Sequence, residues 1–170
     1  MIKKHLLAVI CALSTILFTG CGPESIIVDW APVDIYIHAS DADGKSIIKP
    51  DMPGMSLTFK GVTYTVKDWD KRNEEKETRA YPARLYGLYA QHCSTTDSTK
   101  YMLYFGEIDG AADMDEDIVL KWPDGSTDII HYHCSDHKLV GMEPRCDRSW
   151  KLNGEWHNNN EFSFTGKLLQ

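Results

Sequence analysis

The chain has 170 residues, with 18 Lys and Arg against 25 Asp and Glu, a formal net charge of −7 and 42% apolar residues. That is the length of a single domain, with enough apolar content to bury a core. The acidic balance argues against nucleic acid as a partner, because phosphate binding is driven by clustered Lys and Arg, and it also argues against docking on anionic lipid.

The first residues, MIKKHLLAVICALSTILFTGCG, place two lysines before an apolar run from Leu6 to Phe18, followed by small residues and Cys21. This is the layout of a secretory signal peptide. Thirteen residues at 1.5 Å each reach about 20 Å, short of the roughly 30 Å hydrocarbon core that a spanning helix must cross.

The stretch LFTGC resembles the lipobox of bacterial lipoprotein precursors, departing from it only in Phe18 three residues before the cysteine, where Leu is usual. The resemblance implies a diacylglyceryl thioether on Cys21, an acyl chain on its amine, and no other cofactor. Two or more chains, at about 0.8 kcal/mol per buried methylene, make a stable membrane anchor. Gly22 stands where an aspartate retains some lipoproteins at the inner membrane, so an outer-membrane location is expected. The expected organisation is a lipoprotein signal peptide over 1–20, a lipidated tether over 21–31 and a β domain over 32–170. Loss of residues 1–20 removes Lys3 and Lys4 but no acid, leaving 16 basic against 25 acidic residues, a charge of −9.

From Pro32 the hydropathy alternates. VDIYIHA puts Val33, Ile35, Ile37 and Ala39 on one face, as a half-buried strand requires, and DADGK supplies a turn. MSLTF and VTYTV flank Lys60-Gly61 and predict a tight hairpin over 55–66, with Val62, Tyr64 and Val66 inward. KDWDKRNEEKETRAYP, residues 67–82, lacks an apolar stripe and predicts an exposed connection. ARLYGLYA and YMLYF are apolar on both faces and predict central strands.

DIVLKW and DIIHYHC flank PDGST, SWKL and EW flank Asn153-Gly154, and EFSFTG closes the series. Short strands with turns between them and no intervening helices predict an all-β fold, an antiparallel β-sandwich of about seven to nine strands. VDIYIHASDADGKSI looks like the first hairpin of immunoglobulin-like and transthyretin-like modules. Over 32–166 the order FGEIDG, KWPDGSTDII, KLNG looks like that of small bacterial lipoproteins with a β-rich ectodomain, a resemblance that implies export on a lipid but no activity.

Four residue groups are candidates for chemistry. Glu107 and Asp109 in GEID resemble part of the motif of laminarinase-type glycosidases, but the next glutamate of that motif is replaced by Ala111 and Ala112, so a strand end running into an acidic turn is expected, and no catalysis. Asp113, Asp115 and Asp117 alternate in DMDED as in Ca²⁺ loops, although Ile118 occupies the position of the EF-hand glycine.

His131 and His133 share one strand face and, with His137 from the following loop, could bind a transition metal. Cys134 faces the opposite way, with Ile130 and Tyr132. Among the three later cysteines, local spacing favours a Cys134–Cys146 disulfide, with Cys93 left over. The expected role is that of a lipid-anchored envelope protein binding a protein or glycan, or serving structurally. A small glycan hydrolase using Glu107 and Asp109, or a metal-binding lipoprotein using the three histidines, are the alternatives.

Overall fold

The computed structural model describes residues 30–70, 86–93, 100–141 and 143–167, apart from the Glu107 side chain. The proposed signal peptide, Cys21, nearly all of the tether and most of the 67–82 connection lie outside the described residues. Ten strands follow in chain order: β1 (Val33–Ala39), β2 (Ser56–Phe59), β3 (Val62–Asp68), β4 (Leu88–His92), β5 (Tyr101–Ile108), β6 (Met114–Lys121), β7 (Thr127–Val140), β8 (Glu143–Leu152), β9 (Glu155–His157) and β10 (Glu161–Phe164). The fold is all-β.

The strands form one sheet in the order β10-β1-β5-β4-β3-β2-β6-β7-β8-β9, curled into a half-barrel. It is mixed where an antiparallel arrangement is expected, because β1 runs parallel to β10 and β3 parallel to β4. These pairings are made between segments far apart in sequence, where local turn signals have no say.

The strands at the two ends of the order, β9 and β10, are separated in sequence by residues 158–160 alone. So short a link spans at most about 14 Å even when extended, which requires the sheet to curl until its two ends approach one another. His157 Nε2 lies 2.8 Å from the Glu161 carbonyl oxygen across this gap, and the Asn160 side-chain amide donates to the Asp34 carbonyl at 2.7 Å.

Curling encloses alternate residues of β1, β2, β5, β6, β7 and β10. Ile35, Ile37, Leu57, Phe59, Leu103, Phe105, Ile118, Leu120, Ile130, Tyr132 and Phe162 are fully buried together. The two halves of the sheet meet through Phe59 on Phe105 (ring centroids 5.7 Å), Trp122 on Phe164 (5.2 Å) and Trp150 on Phe162 (5.8 Å). Such edge-to-face contacts add roughly 0.5–1.5 kcal/mol each to the burial term.

β4 and β5 are covered on both faces, as their double-sided apolar pattern predicts. Trp69 packs over Tyr89 and Tyr104 at 5.8 and 5.2 Å on the face away from the core. The Lys60-Gly61 and Asn153-Gly154 turns both have positive φ at each residue, the type I′ geometry that matches strand twist. Val62, expected to point inward, is 52% exposed, while Tyr64 and Val66 pack against the core.

Candidate functional site

β7 is long enough to carry three groups of polar residues, and the pleat decides which way each one faces. Asp128, Ile130, Tyr132 and Cys134 point into the half-barrel, while His131 and His133 point out.

On the outer face, His133 stands directly across from Asp115 and His131 from Asp117. His131 Nδ1 lies 2.9 Å from Asp117 Oδ1 and its Nε2 3.1 Å from Asp115 Oδ1, and His133 Nδ1 lies 3.2 Å from Asp115 Oδ1. The histidine contacts hold the Asp115 carboxyl below its ordinary range, the His133 hydrogen bond contributing most. The two aspartates are strand residues of β6 with side chains more than half exposed, because Met114 is buried and starts the strand there. They pair with histidines and do not converge as an oxygen cage, so the arrangement expected of a Ca²⁺ loop is not formed.

His137 leaves the other two histidines. Ser135 pairs with Asp147 and Lys138 with Arg145, so β7 carries one more residue than β8 in this interval, and Asp136 adopts φ of 54°. This β-bulge breaks the alternation and re-aims the next side chain. Without it His137 would share the outer face of His131 and His133. With it, His137 turns to the side of Cys134, so the three histidines offered as an alternative metal-binding set are not brought together on one face.

There the Cys134 sulfur, His137 Nε2 and the Cys146 sulfur all lie within 4.8 Å of one another. Cys134 Sγ is 3.6 Å from His137 Nε2. His137 Nδ1 is 2.8 Å from Asp113 Oδ1 and its Nε2 is 3.0 Å from the Gly110 carbonyl oxygen, while Trp30 abuts the ring edge-on at 4.6 Å. Arg148 stands directly across from Cys134 on β8, and Cys146 two residues before it on the same face. Cys134 and Cys146, expected as a bridged pair, are brought together here as two thiols.

Burial alone would raise the Cys134 thiol, but the Tyr132 hydroxyl, the Cys146 thiol and the Arg148 guanidinium facing it outweigh that and hold it below its ordinary range. Burial, then the neighbouring Cys134 sulfur, push Cys146 up. Burial would lower His137, yet the Gly110 carbonyl, the Asp113 carboxylate and Cys134 raise it. Of the two thiols, Cys134 is the one whose ionised form is favoured, and it stands beside a histidine whose protonated form is favoured. The Tyr132 side chain is fully buried beside Cys134.

A cleft of roughly 370 Å³ lined by Trp30, Ala31, Pro144, Arg145, Cys146 and Arg148 opens onto the cluster. Gly110 is required where the Trp30-Ala31 segment crosses it, since a β-carbon there would lie 2.0 Å from the Ala31 carbonyl oxygen.

Of Glu107 and Asp109, the structure describes the side chain of the second alone. β5 ends at Ile108, and Asp109 lies in the turn beyond it, where its Oδ1 accepts the Ala111 backbone N–H at 3.0 Å. The Glu107 side chain lies outside the described residues. Sequence reasoning missed Arg148, Trp30 and Gly110, which reach the cluster only through strand register and a crossing segment. No family model, curated protein or solved structure matches the chain.

Proposed function

We propose that the protein is an exported, lipid-anchored envelope protein whose β domain binds a ligand at one open end and performs no catalysis of its own. The observation that carries the binding role is the convergence of Cys134, His137, Cys146 and Arg148 beside a solvent-reachable cleft. The carboxylates of the acidic segment, by contrast, are spent on histidines and a turn. Anchoring rests on the short apolar run and the LFTGC stretch ending in Cys21, with the lipid holding the domain at the outer membrane.

The curled sheet supports a sandwich-like reading of the fold, since its two halves pack face to face through Phe59–Phe105 and Trp150–Phe162. The experiment for anchoring is radiolabelled palmitate incorporation. The Cys21→Ala variant is expected to lose the label, and label retained by the variant contradicts the assignment. Turnover of any member of a glycan panel that disappears in Glu107→Gln would instead favour the hydrolase.

A further inference from the structure

We propose that Cys134, His137 and Cys146 form a binding site for a thiophilic d¹⁰ metal ion, Zn²⁺ or Cu⁺, with Asp113 as the carboxylate that orients the histidine. This deepens the binding role proposed above by naming the class of ligand, and it is independent of the anchor.

Distances make the first argument. Metal–sulfur bonds of about 2.3 Å and metal–nitrogen bonds of about 2.0 Å meeting near the tetrahedral angle separate sulfur from nitrogen by about 3.6 Å. Cys134 Sγ and His137 Nε2 are 3.6 Å apart, and all three donor atoms fit within 4.8 Å of each other.

The strand register makes the second. The residue directly across from Cys134 is Arg148, so Cys146 is a diagonal neighbour. The bulge opposite Cys146 turns His137 to the same side, so an ion placed among the three donor atoms, all within 4.8 Å of one another, meets two sulfurs and one ring nitrogen.

The surroundings make the third. A metal-bound histidine characteristically gives its other ring N–H to a carboxylate, which fixes the tautomer. His137 Nδ1 at 2.8 Å from Asp113 Oδ1 is placed to do so, while Nε2 faces the sulfurs. Arg148, directly across from Cys134, sets a positive charge beside the sulfurs.

Binding displaces protons and transfers no electrons. The ion takes the places of the protons on the two thiols and on His137 Nε2, which gives up its bond to the Gly110 carbonyl, and the protons pass to solvent. Two thiolates and one imidazole select soft ions over Mg²⁺ or Ca²⁺. The cleft beside Cys146 leaves room for an exchangeable fourth donor.

The test uses the full-length protein, purified in detergent, reduced and stripped by chelator under anaerobic conditions, and then titrated with Zn²⁺, with Co²⁺ as its spectroscopic stand-in, and with Cu⁺. The inference predicts one equivalent of tightly bound ion, a thiolate-to-cobalt charge-transfer band, and X-ray absorption showing two sulfurs at about 2.3 Å and nitrogen at about 2.0 Å. A fourth light donor would mark Zn²⁺ as the fitting ion and three-coordination Cu⁺; both ions held by two sulfurs support the site. Asp113→Asn is expected to weaken binding about 10–100-fold. Cys134→Ser and Cys146→Ser should weaken it more, and the His131→Ala/His133→Ala double variant should not change it.

The absorption spectrum of the unaltered protein needs no variant to fold. Uptake well below one equivalent, a metal shell without sulfur, binding lost in the double-histidine variant alone, or a Cys134–Cys146 disulfide that resists reduction in the folded protein would each overturn the proposal. Failure of the binding role itself would look different, as glycan turnover independent of any metal.

Discussion

β7 carries two inward-facing polar clusters built on opposite principles, one at its start and one past its middle. Near its start, Asp128 is 8% exposed and is surrounded. Trp122 Nε1–H donates to its Oδ2 at 2.6 Å, the Asn153 side-chain amide to its Oδ1 at 2.8 Å, and Lys167 Nζ lies 2.6 Å from Oδ2. Asn153 in turn accepts the Ile129 N–H and donates its own backbone N–H to the Ile129 carbonyl. Every polar atom of that carboxylate is used within the chain, and the Lys167 end of the chain is strapped onto the turn between β6 and β7.

Six residues further along, about 20 Å away at strand rise, Cys134, His137 and Cys146 are gathered around donor atoms that face one another and not around one carboxylate. Their donor atoms converge within 4.8 Å, and a cleft reaches the Cys146 thiol. A polar cluster that closes on itself fixes the fold, whereas one left with converging donors is free to take up something else.

The largest effect is expected at the closed end. Asp128→Ala leaves the Lys167 ammonium and the Trp122 N–H with their partner gone, and removing one member of a buried, hydrogen-bonded ion pair costs about 3–5 kcal/mol. Urea denaturation should show this as a lower midpoint. Because the two clusters lie well beyond the range at which substitutions couple, metal uptake should be unchanged.

The same carboxylate gives the molecule a pH dependence. Burial would raise Asp128, but Lys167, Asn153 and Trp122 outweigh it and hold its folded-state value below the ordinary 3.8. Its contribution is therefore fully present above about pH 4 and is lost as the pH falls below that toward the folded-state value. Denaturation midpoints measured from pH 6 down to pH 3 should fall for the unaltered chain and fall less steeply for Asp128→Asn.

A smaller loss is expected at the open end. Gly110→Ala must push the Ala31 backbone aside, an overpacking cost of about 1–3 kcal/mol. It should also disturb the Trp30–His137 contact, visible as a change in tryptophan fluorescence. Least of all should follow from Trp156→Ala, since that ring is 72% exposed on β9 and only lies beneath the Lys151 ammonium at 4.8 Å. A stability change beyond about 0.5–1 kcal/mol there would contradict the assignment of stability to the interior clusters.

Alternation made much of the sheet legible. Val33 to Ala39 is a strand over the residues that its period-two pattern marks, and the Asn153-Gly154 dipeptide predicts its hairpin because both positions need positive φ. The parallel pairings of β1 with β10 and β3 with β4 were not legible, since nothing local encodes a partner so far along the chain. The site was half legible. Cys134 faces inward with Ile130 and Tyr132 as the pattern requires, but one bulged residue at Ser135–Lys138 inverts the facing of His137, and a period-two reading has no means of counting it. The acids of DMDED alternate, as they do in an acidic loop and in a strand alike, and the buried Met114 between them marks the start of β6.

The claim that one end of β7 stabilises and the other binds is tested most directly by thermal unfolding of the reduced protein with Zn²⁺ at about 100 times its dissociation constant and with chelator. An ion that binds only the folded state should add about 2.7 kcal/mol. The account predicts this increment in the unaltered chain and undiminished in Asp128→Asn, although that variant starts from a lower midpoint, and it predicts none in Cys134→Ser. An equal increment in Cys134→Ser, or its loss in Asp128→Asn, would contradict it.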